Sequence, residues 1–148
     1  MSEYLNIYLV PKHSKDEEPK KPVYLTGYPR STDEFDAITE EVAVPYSNDK
    51  EQYAELTSKA MQYVCEQQEN EVKDCEDRIK KRQEALRYIT NGEAVETVLC
   101  EIDSITKYRD EQQATLNELR HIQWLVERIE SENCCDCGEF EKVVMDRG

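Results

Sequence analysis

Hydrophobic residues alternate with polar ones at the start of the chain and then fall into helical spacing. From Tyr4 to Val10, Leu5, Ile7 and Leu9 share one face of an extended strand, with Tyr4, Asn6, Tyr8 and Val10 on the other. Val23 to Tyr28 alternates as well: Val23 and Leu25 on one side, Tyr24, Thr26 and Tyr28 on the other. The two runs predict a β-hairpin within residues 1–30. Its connection, Lys12 to Lys21, is a long charged loop bounded by Pro11 and Pro22.

Ser31 and Glu34 form a capping-box pair, and Phe35, Ile38 and Val42 recur at helical spacing. A short helix is expected over 32–41, ending ahead of Pro45. Residues 48–90 contain neither glycine nor proline. Asn48 with Glu51 reads as the start of a long helix, and Asn91-Gly92 as its stop, since both residues tolerate the left-handed conformation. Thr90 with Glu93 can cap a second helix running to about 132. Two uninterrupted helices of this kind, each about 60 Å long at ~1.5 Å per residue, predict an antiparallel, coiled-coil-like hairpin.

With the turn centred near Gly92, Ile89 faces Val95, Leu86 faces Val98 and Ile79 faces Ile105. Nearer the base, Cys65 faces Leu119, Met61 faces Ile122 or Gln123, and Tyr53 faces Ile129 or Ser131. Between these apolar layers Cys75 faces Arg109 and Val72 faces Gln112. The seam therefore has a polar waist, as expected of residues that fix register at a cost in stability. After residue 133, Gly138 marks a turn, and Phe140 to Met145 reads as a third strand. The expected fold is mainly α, in one domain. A helical hairpin (47–133) stands on a small α+β base (1–46), with a tail (134–148) packed on the base.

Composition narrows the function. The 148 residues carry 33 acids against 19 bases, a net charge of −14. No apolar run is long enough to span a membrane, and the first residues lack a signal-peptide pattern, so a cytoplasmic protein is expected. In a reducing compartment the six cysteines are thiols or metal ligands rather than a disulfide framework. Cys134, Cys135 and Cys137 are the densest group of potential ligands, with His13 or a further Cys needed as a fourth. Their spacing is not that of paired zinc ligands, so neither metal nor cofactor is expected. Cys65 and His121 approach one another in the hairpin pairing, but a helical seam offers no pocket for a nucleophile. None of the phosphate-binding, zinc-protease or serine-hydrolase signatures occurs. The chain reads as a non-enzyme.

Two surfaces stand out instead. If Leu5, Ile7 and Leu9 face the helices, then Tyr4, Tyr8, Tyr24 and Tyr28 face outward, and tyrosine is enriched where proteins meet. Leu99 and Trp124 lie off the helical seam, Leu99 near the tip and Trp124 where it can dock on the sheet. These six residues are the candidate partner-binding set, for a protein partner or a second copy that thickens a thin two-helix core. Phosphate binding needs a basic stripe, and Lys80-Lys81-Arg82 is embedded among acids, so direct nucleic-acid binding is not expected.

An acidic inhibitor that mimics DNA is the alternative, with the acid-rich stretch 31–41 its best local candidate. Residues 51–90 carry nine acids and seven bases, and 91–132 ten acids and four bases. That field is several times weaker than that of a duplex, at about one charge per 1.7 Å. A cysteine-cluster metal or redox protein is the second alternative.

Overall fold

The computed structural model describes residues 4–12, 22–29, 44–48, 51–132 and 140–147. Strands β1 (Tyr4–Pro11), β2 (Val23–Pro29), β3 (Val44–Asn48) and β4 (Glu51–Glu55) come first. Helices α1 (Ser58–Ala85) and α2 (Gly92–Glu132) follow, then strand β5 (Phe140–Arg147). The chain divides into two compact units, residues Met1–Val64 with Arg120–Gly148, and residues Cys65–Leu119.

The first unit holds a five-stranded sheet in the order β2-β1-β5-β4-β3. Every described pairing in it is antiparallel. The expected N-terminal hairpin is present as β1 and β2. The C-terminal run is a strand as expected, and it occupies the middle of the sheet. Cross-strand partners share a face, which fixes the sidedness. Leu5, Ile7 and Leu9 lie with Met145, Val143 and Ala54 on one face. Tyr8, Val10 and Val144 lie on the other. Val143, Val144 and Met145 are all buried, so both faces of the central strand are covered. Leu56 is buried just ahead of α1, and Ala60, Met61 and Val64 of α1 with Ile122, Val126 and Ile129 of α2 supply the buried helical positions of the same unit. Their three- and four-residue spacing is that of one helix face.

The sequence pattern misplaces the start of the first long helix. Residues 48–57 do not open it: Asn48 pairs with Glu51 at the closed end of a β3–β4 hairpin, and Tyr53 pairs with Tyr46. Pro45 sits on β3, an edge strand, where a residue without an N–H breaks no ladder. The helix begins at Ser58, where Thr57 caps it. The Thr57 Oγ1 accepts from the Ala60 N–H at 3.1 Å, and its carbonyl accepts from Met61 at 2.9 Å. The Glu130 carboxylate adds to this cap. One oxygen accepts from the Ser58 N–H at 3.0 Å and the other from the Ser58 hydroxyl. A negative charge at a helix N-terminus also meets the positive end of the helix dipole.

The far end of α1 also differs from the expectation. The helix ends at Ala85 and not at residue 90. Arg87 and Tyr88 then donate to carbonyls three residues back, the tighter bonding common at helix ends. Asn91 is the cap of α2 rather than the stop of α1. Its Oδ1 accepts from Glu93 at 2.9 Å and Ala94 at 3.2 Å. The helix expected over 32–41 and most of the charged loop 12–21 lie outside the described residues.

Candidate partner-binding surfaces

On the outer sheet face, β1 and β2 carry the tyrosines. Tyr4 is 41% exposed and Tyr24 58%, while Tyr8 is half-buried against Val10 and Val144. The Tyr8 and Tyr24 rings meet edge-on, 5.7 Å between centroids, a favoured aromatic geometry. Tyr24 leans along its strand until its hydroxyl, with the Asn6 amide, fills the space a side chain at Gly27 would take. A glycine at that position leaves the room that the Tyr24 hydroxyl occupies.

Tyr28 does not belong to this face. It pairs with Leu5 and is 3% exposed, so the expectation that it faces outward is wrong. The cause is a register shift: Ile7 pairs with Thr26, but Tyr8 pairs with Tyr24. Leu25 is the extra residue of a β-bulge, and it reverses the sidedness of everything after it. Strict alternation cannot reveal a bulge, although Gly27 two residues on is the kind of signal that accompanies one.

The helices carry the other two candidates. Leu99 is 47% exposed, as expected of a residue off the seam. Trp124 is 52% exposed. It stands between neighbours on its own helix face, with the His121 ring 5.9 Å from its own and the Arg128 guanidinium 5.4 Å above it. These are spacings of three and four residues, where helical side chains meet. A cation over an indole face is attracted by its quadrupole.

In the second unit the polar waist takes a specific form. Gln68 is 1% exposed and Gln112 5%. The Gln68 amide donates to the Gln112 carbonyl at 2.8 Å and to its side-chain oxygen at 2.9 Å. Sequence pairing assigned Gln112 to the waist but gave it Val72 as a neighbour. Gln68 was missed because a glutamine at helical spacing reads as surface. Around this pair the Tyr108 hydroxyl donates to Glu71 at 2.9 Å, and Arg109 lies 4.0 Å from Glu76 and 3.0 Å from Asp110. Farther along, Arg82 meets Glu101 at 2.9 Å.

Cys65 and Cys75 are buried and Cys100 exposed, all as free thiols. Burial pushes the Cys75 thiol above its ordinary value, and Glu71 and Asp74 push the same way against Arg78 and Arg109. A thiol held protonated is a poor nucleophile and a poor metal ligand. Cys134, Cys135 and Cys137 lie outside the described residues. Among the described residues no group of three or more His, Cys, Asp or Glu is placed to hold a metal ion. No described helix is long and apolar enough to cross a membrane. No protein-family model, curated protein or solved structure matches this chain.

Proposed function

We propose that the chain is a non-enzymatic binding protein that engages a protein partner through the tyrosine-bearing outer face of its β1–β2 hairpin. The observation that carries this reading is the exposure of Tyr4 and Tyr24 beside the half-buried Tyr8 on one continuous face. Tyrosine and tryptophan dominate binding hot spots because they add large contact area at low entropic cost. Trp124 and Leu99 are the secondary contacts.

In this reading α1 and α2 form an antiparallel, coiled-coil-like hairpin that serves as a rigid support. Its support is the order of the cross-helix bonds in the second unit. Gln68, Glu71 and Arg82 advance along α1 while their partners Gln112, Tyr108 and Glu101 retreat along α2. The buried residues Cys65, Gln68, Val72 and Cys75 of α1, and Gln112, Leu116 and Leu119 of α2, fall at the three- and four-residue spacing of such a seam.

Affinity capture from the native host tests the proposal. A partner retained by the wild type in stoichiometric amount should be lost by the Tyr4→Ala/Tyr24→Ala variant while its circular dichroism is unchanged. Retention of every captured protein by that variant overturns the assignment of the face.

A further inference from the structure

Toward the α1–α2 turn the cover of the helices thins. Val72, Cys75 and Ile105 are buried, but beyond them Ile79, Leu86, Val95, Val98 and Ile102 are only half-buried, and Leu99 is exposed. The charge changes there as well. Residues 78–103 carry five bases and five acids, so the net charge of −14 lies wholly outside them. All five bases precede the turn, and four of the five acids follow it.

Arg82 and Glu101, 2.9 Å apart, close one flank of the helix pair and set which residues stand level. Lys80, two residues earlier on α1, stands level with Asp103, two residues later on α2. Arg87, five residues later, stands level with Glu96, five residues earlier. Each of these four follows a half-buried seam residue by one step, as Leu99 follows Val98. In antiparallel right-handed helices that step turns to the same flank on both. All four charged residues are exposed, and among the described residues none has an ion-pair partner.

We infer that this flank of the α1–α2 tip docks a second copy of the chain. With a two-fold axis along the helices, each α1 lies against the α2 of the other copy at the same level. Lys80 and Arg87 of one copy then meet Asp103 and Glu96 of the other, and the axis repeats both pairs. Leu99, open to another partner in the single chain, is covered in the pair by the stems of the lysine and arginine. A partner of a single sign would meet one rim and be repelled by the other. Because the tip itself is neutral, the repulsion between two acidic chains comes from residues outside the contact. Salt screens that repulsion more than it screens ion pairs closed in an interface.

The test is sedimentation equilibrium of the full chain at micromolar concentrations near physiological salt, with reductant present so that exposed Cys100 forms no disulfide. Wild type should approach twice 17.4 kDa. Lys80→Glu/Arg87→Glu and Glu96→Lys/Asp103→Lys should each weaken association by about tenfold or more. An equal mixture of the two variants should associate as wild type does, since every basic rim again meets an acidic one. The second variant is less acidic than wild type, so net charge alone would strengthen its association.

A wild type that stays at 17.4 kDa overturns the inference. So does a Glu96→Lys/Asp103→Lys variant that associates as tightly as wild type, or a mixture no better than the variants apart. Circular dichroism of both should match wild type. If either loses helix, Lys80→Glu and Asp103→Lys alone and mixed carry the same comparison.

Discussion

Gln68 makes two bonds across the waist, one to the main chain of Gln112 and one to its side chain, and the pair is therefore unequal under mutation. Gln68→Leu removes both bonds, whereas Gln112→Leu leaves the carbonyl acceptor in place. Stranding a buried polar group costs about 1–3 kcal/mol. Chemical denaturation should therefore show the larger loss for Gln68→Leu, and the double variant should regain stability relative to it, because the Gln112 amide is then no longer buried against an apolar side chain. Equal losses would remove the unequal roles assigned to the two amides. Cys75 gives a second residue-scale test. Its raised value means the folded state holds the thiol proton more tightly than the unfolded chain does. Its stabilising contribution is complete below the unfolded thiol value and is lost as pH rises through the folded one. Under native conditions iodoacetamide should modify Cys100 far faster than Cys75, and Cys75→Ser should flatten the alkaline loss of stability.

Helix caps and the β-bulge decide the individual elements, and they also mark where sequence pattern succeeds and fails. The alternation of Leu5, Ile7 and Leu9 was legible because one face of β1 is wholly apolar. The β3–β4 hairpin was not. No glycine or proline interrupts residues 48–57, and a two-residue gap between Asn48 and Glu51 looks like helix when polar residues surround it. Tyr4, Tyr8 and Tyr24 share one side of the sheet, as alternation predicts, but Tyr28 does not, because Gly27 hints at a bulge without showing that Leu25 is the extra residue. Asn91→Ala should cost about 0.5–2 kcal/mol, since its side chain caps two N–H groups of α2. A thermal melt unchanged by that substitution would mean the helix start is held elsewhere. Gly27→Ala should displace the Tyr24 hydroxyl and Asn6 amide, both ends of flexible side chains. Its expected mark is a change in the Tyr8–Tyr24 ring contact by NMR at a stability cost of about 1 kcal/mol.

At the scale of the whole molecule, composition indicated a helix-rich, acidic chain, and the binding reading follows from surface features rather than a pocket or a ligand cluster. Self-association is opposed by a net charge of −14 and favoured by exposed apolar residues such as Leu99. Added salt screens the repulsion. Sedimentation equilibrium should therefore show any rise above 17.4 kDa growing with salt and reduced by Leu99→Glu. A protein partner is proposed to contact the outer β1–β2 face. Hydrogen exchange with mass spectrometry on the captured complex tests it most directly. Slowed exchange on binding should appear in peptides covering residues 4–8 and 23–28. Protection confined to α1 and α2, with those peptides unchanged, would contradict it.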